Sequence, residues 1–235
     1  MFCTKLREAI RNGARATARA LIKRMNLHEQ TPMPTWTIAQ TVDWMVPMAL
    51  AGKSLRCPCC NQNVHVYYRH LNGPMARTLI HMYYYDCAHP GEWMHVDNYL
   101  VEAGIKNSRY YSLMLFWRLI EHAEARRDDD NPRSGLWRIS ERGRQFVQEL
   151  RREPEAFWMY NDENYGFADD TVDIRAALRS GAFLYHDIMR PLFPQLNVVP
   201  SPEDLAFVAQ QEEKARLREE KEARKREREA KMQCA

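Results

Sequence analysis

Cys57-Pro58-Cys59-Cys60-Asn61 constrains this chain more than any other stretch. Cys57 and Cys60 bracket a proline, and a turn-former follows them. A turn of this kind aims both sulfurs at one centre, as half of a zinc knuckle does. The residue after the second thiol adopts a positive φ, which asparagine tolerates better than most side chains. The spacing therefore predicts a small metal-stapled module in the first half of the chain.

A closed structural zinc site needs four ligands. No second C-x-x-C occurs, and the next cluster is Asp86-Cys87-Ala88-His89-Pro90. Cys57, Cys60, Cys87 and His89 are thus the expected ligands of a structural Zn2+, with His95, His70 and Cys59 in reserve. The competing reading is a turn held by packing, with free thiols. Catalytic zinc is not expected, because the chain lacks H-E-x-x-H and the H-x-E with P-C-x-x-C arrangement. It also lacks G-x-S-x-G, a P-loop and a dinucleotide fingerprint, so the expectation is no enzyme and no small-molecule substrate. His81, His95, His122 and His186 sit in apolar contexts and read as satisfied core histidines.

A length of 235 residues allows one large or two small domains. Net charge is only +3 and names no partner, but its distribution is uneven. Residues 5 to 24 hold seven bases against Glu8, and residues 153 to 173 are acidic. This polarity suggests a nucleic-acid face or intramolecular pairing. Six scattered cysteines point to a reducing cytosol rather than a disulfide framework. No apolar run approaches the roughly 20 residues of a membrane span, and no membrane partner is expected. The Arg-rich N-terminus lacks a signal-peptide core. It reads as an amphipathic helix more readily than as a mitochondrial presequence.

Residues 1–52 form an N-terminal helical segment, with helices expected at 3–27 and 38–51. Arg7, Arg11, Arg15, Arg19 and Lys23 make a basic row on the first, either a phosphate-tracking stripe or a solvated face. Thr37 caps the second and Gly52 closes it. The knuckle unit spans 53–69 and includes a strand at 63–69. Within 70–151 the order is a helix at 71–85, a short strand at 91–96, a small helix ended by Gly104, a strong helix Arg109–His122, a hairpin and a helix from Glu141. This is the order of a winged helix-turn-helix. Residues 152–200 predict a β-hairpin and short helices. Residues 201–235 predict a charged, salt-bridge-laced helix without an apolar heptad. The expected fold class is α+β, mostly α.

In a winged helix the Arg109–His122 helix is the one that enters a major groove. Arg109, Tyr110, Ser112 and Arg118 are its candidate DNA contacts, and Arg126, Arg127 and Arg133 those of the wing. Three consecutive aspartates at the wing tip oppose phosphate. Leu113, Leu115 and Phe116 suggest instead an exposed apolar face suited to a protein partner.

The chain resembles a family of tailed-phage proteins of unassigned function, in which a CPxC zinc knuckle precedes a winged helix-turn-helix. The resemblance rests on C-P-C-C-N at 57–61, Arg69-His70-Leu71-Asn72, Gly91-Glu92-Trp93-Met94-His95-Val96 and Trp117-Arg118-Leu119-Ile120-Glu121. It continues through Ser134-Gly135-Leu136-Trp137-Arg138-Ile139-Ser140 and Asp173-Ile174-Arg175-Ala176-Ala177-Leu178, covering roughly residues 57 to 190. It implies a zinc-containing winged-helix regulator, made in the host bacterial cytoplasm. Leu113 and Leu115 depart from it, because the recognition helix of such proteins tends to carry a basic residue. The leading expectation is a non-enzymatic phage regulator that binds duplex DNA. The alternative is an adaptor or inhibitor of a host transcription or defence complex.

Overall fold

The structure, a computed structural model, describes residues 35–50, 55–105, 110–123 and 135–233. The helix expected at 3–27 with its basic row, and the aspartates of the wing tip, lie outside the described residues, as do Arg109, Arg126, Arg127 and Arg133. The fold is α+β and mostly α.

Helix α1, Ile38–Leu50, begins as the sequence predicts. Thr37 Oγ1 accepts from the Gln40 amide at 3.2 Å, and Gln40 Oε1 accepts from the Thr37 amide at 2.8 Å. This reciprocal box satisfies donors the helix cannot satisfy itself. Met45 and Ala49 bury against Val64, and Val46 against Tyr165, making small clusters beside the knuckle. Strands β1, Leu55–Arg56, and β2, Asn63–Val64, pair antiparallel around the cysteine turn. The strand expected at 63–69 is split. Its second part, β3 (Tyr67–His70), leaves this ribbon for another sheet.

Helix α2, Gly73–Ala88, is the spine of the main core. Asn72 Oδ1 caps it by accepting from the Met75 amide at 3.2 Å. Pro74 fits the first turn, where an N–H would find no helical partner. Met75, Leu79 and Met82 face inward. Tyr83 is only half-buried, and its hydroxyl accepts from Gln148 Nε2 at 2.7 Å. Gly73 is required by packing. A Cβ there would stand 2.6 Å from the Gly181 nitrogen.

Strand β4 (Met94–His95), helix α3 (Val96–Glu102), a 3-10 helix (Tyr111–Leu115), strands β5 (Ile120–His122) and β6 (Leu136–Ile139) and helix α4 (Glu141–Val147) follow in turn. They form a three-stranded antiparallel sheet of order β4-β6-β5. The hairpin expected from Glu121 is present, with Ile120 opposite Ile139 and His122 opposite Trp137.

The strong helix expected over Arg109–His122 is not formed. One 3-10 helix ends at Leu115, and Arg118 turns the chain with φ 56°. Apart from Arg118, residues 113–120 are all apolar, and a helix that buries one face would leave some of them exposed. The chain instead unwinds and buries Met114, Trp117, Leu119 and Ile120. Trp117 Nε1 donates to the Pro154 carbonyl at 2.7 Å. Ser140 Oγ donates to the Arg118 carbonyl at 2.6 Å, and the Ser140 amide donates to the Leu119 carbonyl at 3.0 Å. Helix α4 packs so close that a Cβ on Gly143 would lie 2.2 Å from the Leu119 oxygen.

Strands β7 (Glu153–Pro154) and β10 (Thr171–Val172) pair outside the appendage hairpin of β8 (Ala156–Tyr160) and β9 (Glu163–Phe167). Asn161 and Asp162 turn the hairpin with φ 49° and 58°, as a two-residue loop with two positive φ values requires. The other edge of β8 receives β3, giving the order β3-β8-β9. Phe157 on β8 meets Trp117 edge to face at 4.7 Å, and this contact ties the hairpin to the main core. Glu153 is fully buried and accepts from Arg142 Nε at 2.7 Å and Arg151 Nε at 2.6 Å.

Helices α5 (Ile174–Arg179) and α6 (Tyr185–Leu192) close the body, and α7 (Pro202–Gln233) runs away from it. Ser201 and Asp204 form a second reciprocal box at the start of α7, at 3.1 Å in each direction. Asp204 has no exposed surface and binds Arg175 Nη1 at 2.8 Å and Arg179 Nη1 at 2.7 Å. Ala209 to Arg226 are exposed throughout. Arg216 pairs with Glu213 at 2.8 Å, and Glu222–Arg226 closes to 3.7 Å.

Candidate functional site

The cysteine turn has the local geometry the sequence predicts. Asn61 holds φ 57°, its amide donates to the Cys57 carbonyl at 2.8 Å, and the Cys57 amide donates to Gln62 at 2.8 Å. The Cys57 thiol lies below its ordinary pKa. The backbone amide of Cys60 is the largest cause, followed by that of Cys59 and then by the Cys60 thiol. Tyr160 of β8 packs against this turn. Burial pushes its hydroxyl pKa up, and the nearby Cys57 and Cys60 push it further.

The expected second pair does not join this turn. Cys87 lies exposed in the last turn of α2, and His89 caps that helix, stacking on Tyr85 at 4.6 Å and facing Glu92 at 3.8 Å. Among the described residues no three Cys, His, Asp or Glu side chains gather as metal ligands would. Among the described residues the set Cys57, Cys60, Cys87 and His89 is not assembled. The reason lies in the fold: the cysteine turn rests on α1 and β8, whereas Cys87 rides on the far end of a 16-residue helix.

The recognition segment also differs from expectation. Tyr110 is 54% exposed, Arg118 is exposed and Ser112 is half-buried. Leu113 and Phe116 lean on the main core, Phe116 against Phe157 at 4.9 Å. Only Leu115, 45% exposed, remains of the apolar trio as a solvent-facing side chain. His81 and His186 are buried as expected, but neither is satisfied, because their Nδ1 atoms lack partners. Burial, reinforced by the charge of Arg77, lowers the His81 pKa to about 4 and keeps the ring neutral.

Most arginines of the body are consumed by carboxylates. Asp86 receives Arg144 through two bonds at 2.8 and 2.9 Å, and these bonds hold its carboxyl below the usual range. Arg138 pairs with Glu121, Arg152 with Asp173, and Arg175 with Glu149 and Asp204. Arg69 is different. Its guanidinium lies 4.4 Å from the Tyr67 ring centre and 5.7 Å from that of Tyr110, and its buried Nε has no partner. Strand β3 thus brings a cation with aromatic neighbours to the start of the 3-10 helix. The sequence assigns residues 63–69 to a strand and gives Arg69 no binding role. The usable signal was Tyr67-Tyr68-Arg69-His70, rings interleaved with bases in one short strand.

Comparison of the chain with protein-family models, curated proteins and solved structures finds no match. Among the described residues no helix is long and apolar enough to cross a membrane.

Proposed function

We propose that residues 70–151 act as a winged helix-turn-helix unit and that the protein is a non-enzymatic nucleic-acid-binding regulator, of the kind a phage uses in a bacterial cytoplasm. The observation that carries this reading is the order α2, β4, α3, 3-10 helix, β5, β6 combined with the sheet order β4-β6-β5. In proteins of that topology the third helical element meets DNA. Here that element is one 3-10 turn beginning beside exposed Tyr110, with Arg69 against it and Arg118 just beyond. So short a turn offers few base contacts. Binding is then dominated by phosphate and weak in sequence preference.

Fluorescence anisotropy of a mixed-sequence duplex tests this. Affinity is expected to fall at least about a hundredfold between roughly 50 and 200 mM salt. Arg118→Ala is expected to lower the salt slope by about one. A protein that fails to retain the duplex at the lower salt overturns the reading. The second reading, an adaptor for a host protein complex, rests on exposed Leu115 and on the projecting charged helix α7. Nuclease-resistant association with one stoichiometric protein, lost on Leu115→Asp, favours it over the duplex.

A further inference from the structure

An open cavity of about 550 Å³ lies between β3, the start of α2 and the 3-10 helix. That volume suits a small ligand. Its walls differ in character. Met75 and Leu113 supply an apolar side, Tyr110 a ring, and Arg69 a positive charge. The polar groups around it are mostly occupied. Asn72 is engaged in capping α2, and Ser180 Oγ accepts from the Gly73 amide at 2.9 Å. Glu155 accepts from the Tyr68 hydroxyl at 3.3 Å and lies 4.0 Å from His70. The amides of the first turn of α2 are therefore not what the cavity offers.

Arg69 is what it offers. No carboxylate pairs with this side chain among the described residues, although seven arginines of the same body are paired. Its Nε is buried without a hydrogen-bond partner, an arrangement that leaves a strong donor unsatisfied. The planar guanidinium is held beside Tyr67 and Tyr110, which orients its fork without neutralising it. A planar cation next to an exposed ring and an apolar wall matches a ligand with an anionic group and a flat aromatic group a few ångströms apart.

We propose that this cavity binds a nucleotide unit, with Arg69 holding the phosphate and Tyr110 stacking on the base. The site deepens the nucleic-acid reading and shares Tyr110 with it, but it takes an unpaired nucleotide rather than a duplex. The unit can come from a free mononucleotide or from a single strand, because both combine the same phosphate and base.

Isothermal titration of the full chain at low salt with adenosine 5′-monophosphate, adenosine and inorganic phosphate tests the assignment. The monophosphate is expected to bind at least about tenfold more tightly than either half alone, since a joint site uses both. Arg69→Lys keeps the charge but loses the fork, and weakens the monophosphate about tenfold. Tyr110→Ala, at an exposed position, weakens it about tenfold and weakens inorganic phosphate far less, because Tyr67 still holds the Arg69 fork. No binding at several millimolar monophosphate, or equal binding by wild type and a folded Arg69→Lys, overturns the proposal. A single-stranded tetranucleotide that binds more tightly than the monophosphate identifies the strand as the source, and the reverse order identifies the free nucleotide. Duplex retention without monophosphate binding removes this inference alone. Monophosphate binding without duplex retention removes the duplex reading alone.

Discussion

Asp204 shows how one side chain can fasten an element to a body. Burial on its own raises the carboxyl pKa. Hydrogen bonds from Arg175, the Ser201 amide and Arg179 outweigh burial and bring it down to about 2. A folded pKa below the unfolded value means that the stabilisation is complete above the unfolded pKa near 4 and is lost as pH falls through 2. The group contributes on the order of 2 kcal/mol at neutral pH. Asp204→Asn is therefore expected to be about 2 kcal/mol less stable than wild type at pH 7 in urea denaturation. The two proteins converge near pH 2, and a gap that persists there contradicts the assignment. Asn61 was legible at the same scale. A residue following C-x-x-C needs positive φ, and φ 57° is a local property that neighbours along the chain suffice to predict. Arg69 was not legible, because its significance depends on Tyr110, some forty residues away, and on the lack of a pairing carboxylate among the described residues.

At the scale of elements, caps and turns followed the sequence, while helix length did not. Thr37 and Ser140 cap the helices expected to follow them, and Asn72 and Asp173 cap two more, because capping is a contact over three residues. The Asn161-Asp162 hairpin turn belongs to the same group. The helix expected over 109–122 failed because propensity favours helix, while the joint burial of Met114, Trp117, Leu119 and Ile120 does not. Ser140 resolves the conflict. Its hydroxyl accepts from the Gly143 amide at 3.0 Å, capping α4, and donates to the Arg118 carbonyl, fixing the left-handed turn. Ser140→Ala removes both bonds and is expected to cost about 2 kcal/mol in chemical denaturation. A Ser140→Thr variant that keeps both bonds recovers much of the loss. If alanine there costs no more than a few tenths, the turn is held by packing of Trp117 and Leu119 alone.

Across the whole molecule, stability resides in the body and not in the projecting helix. The main core gathers α2, the β4-β6-β5 sheet, Phe157 of β8 and the helices α5 and α6. The first turns of helix α7 are fastened to this body through Asp204. Truncation after Gln210 is expected to leave Tm within about 2 °C of the full chain, because the described side chains it removes, 211 to 226, are all exposed. Truncation before Ser201 removes the Asp204 pairs and lowers Tm by about 4–8 °C, at ~2–4 °C per kcal/mol for a chain of this size. Differential scanning calorimetry of both forms checks this. Equal losses in the two would place part of the core on the distal helix.

The sequence by itself determined what acts within a few residues. It decided where helices start, where the cysteine turn and the hairpin bend, and that α7 is a charged helix without an apolar seam. Only the tertiary structure decided which distant groups meet. It kept Cys87 and His89 away from Cys57 and Cys60, unwound the segment after Tyr110 to bury Trp117 and Leu119, and placed Arg69 beside Tyr110 with no carboxylate partner among the described residues. Hydrogen bonding across three residues depends on local dihedrals, which side-chain types specify. Ion pairing and burial across the chain depend on how whole elements pack, and no short-range pattern encodes that.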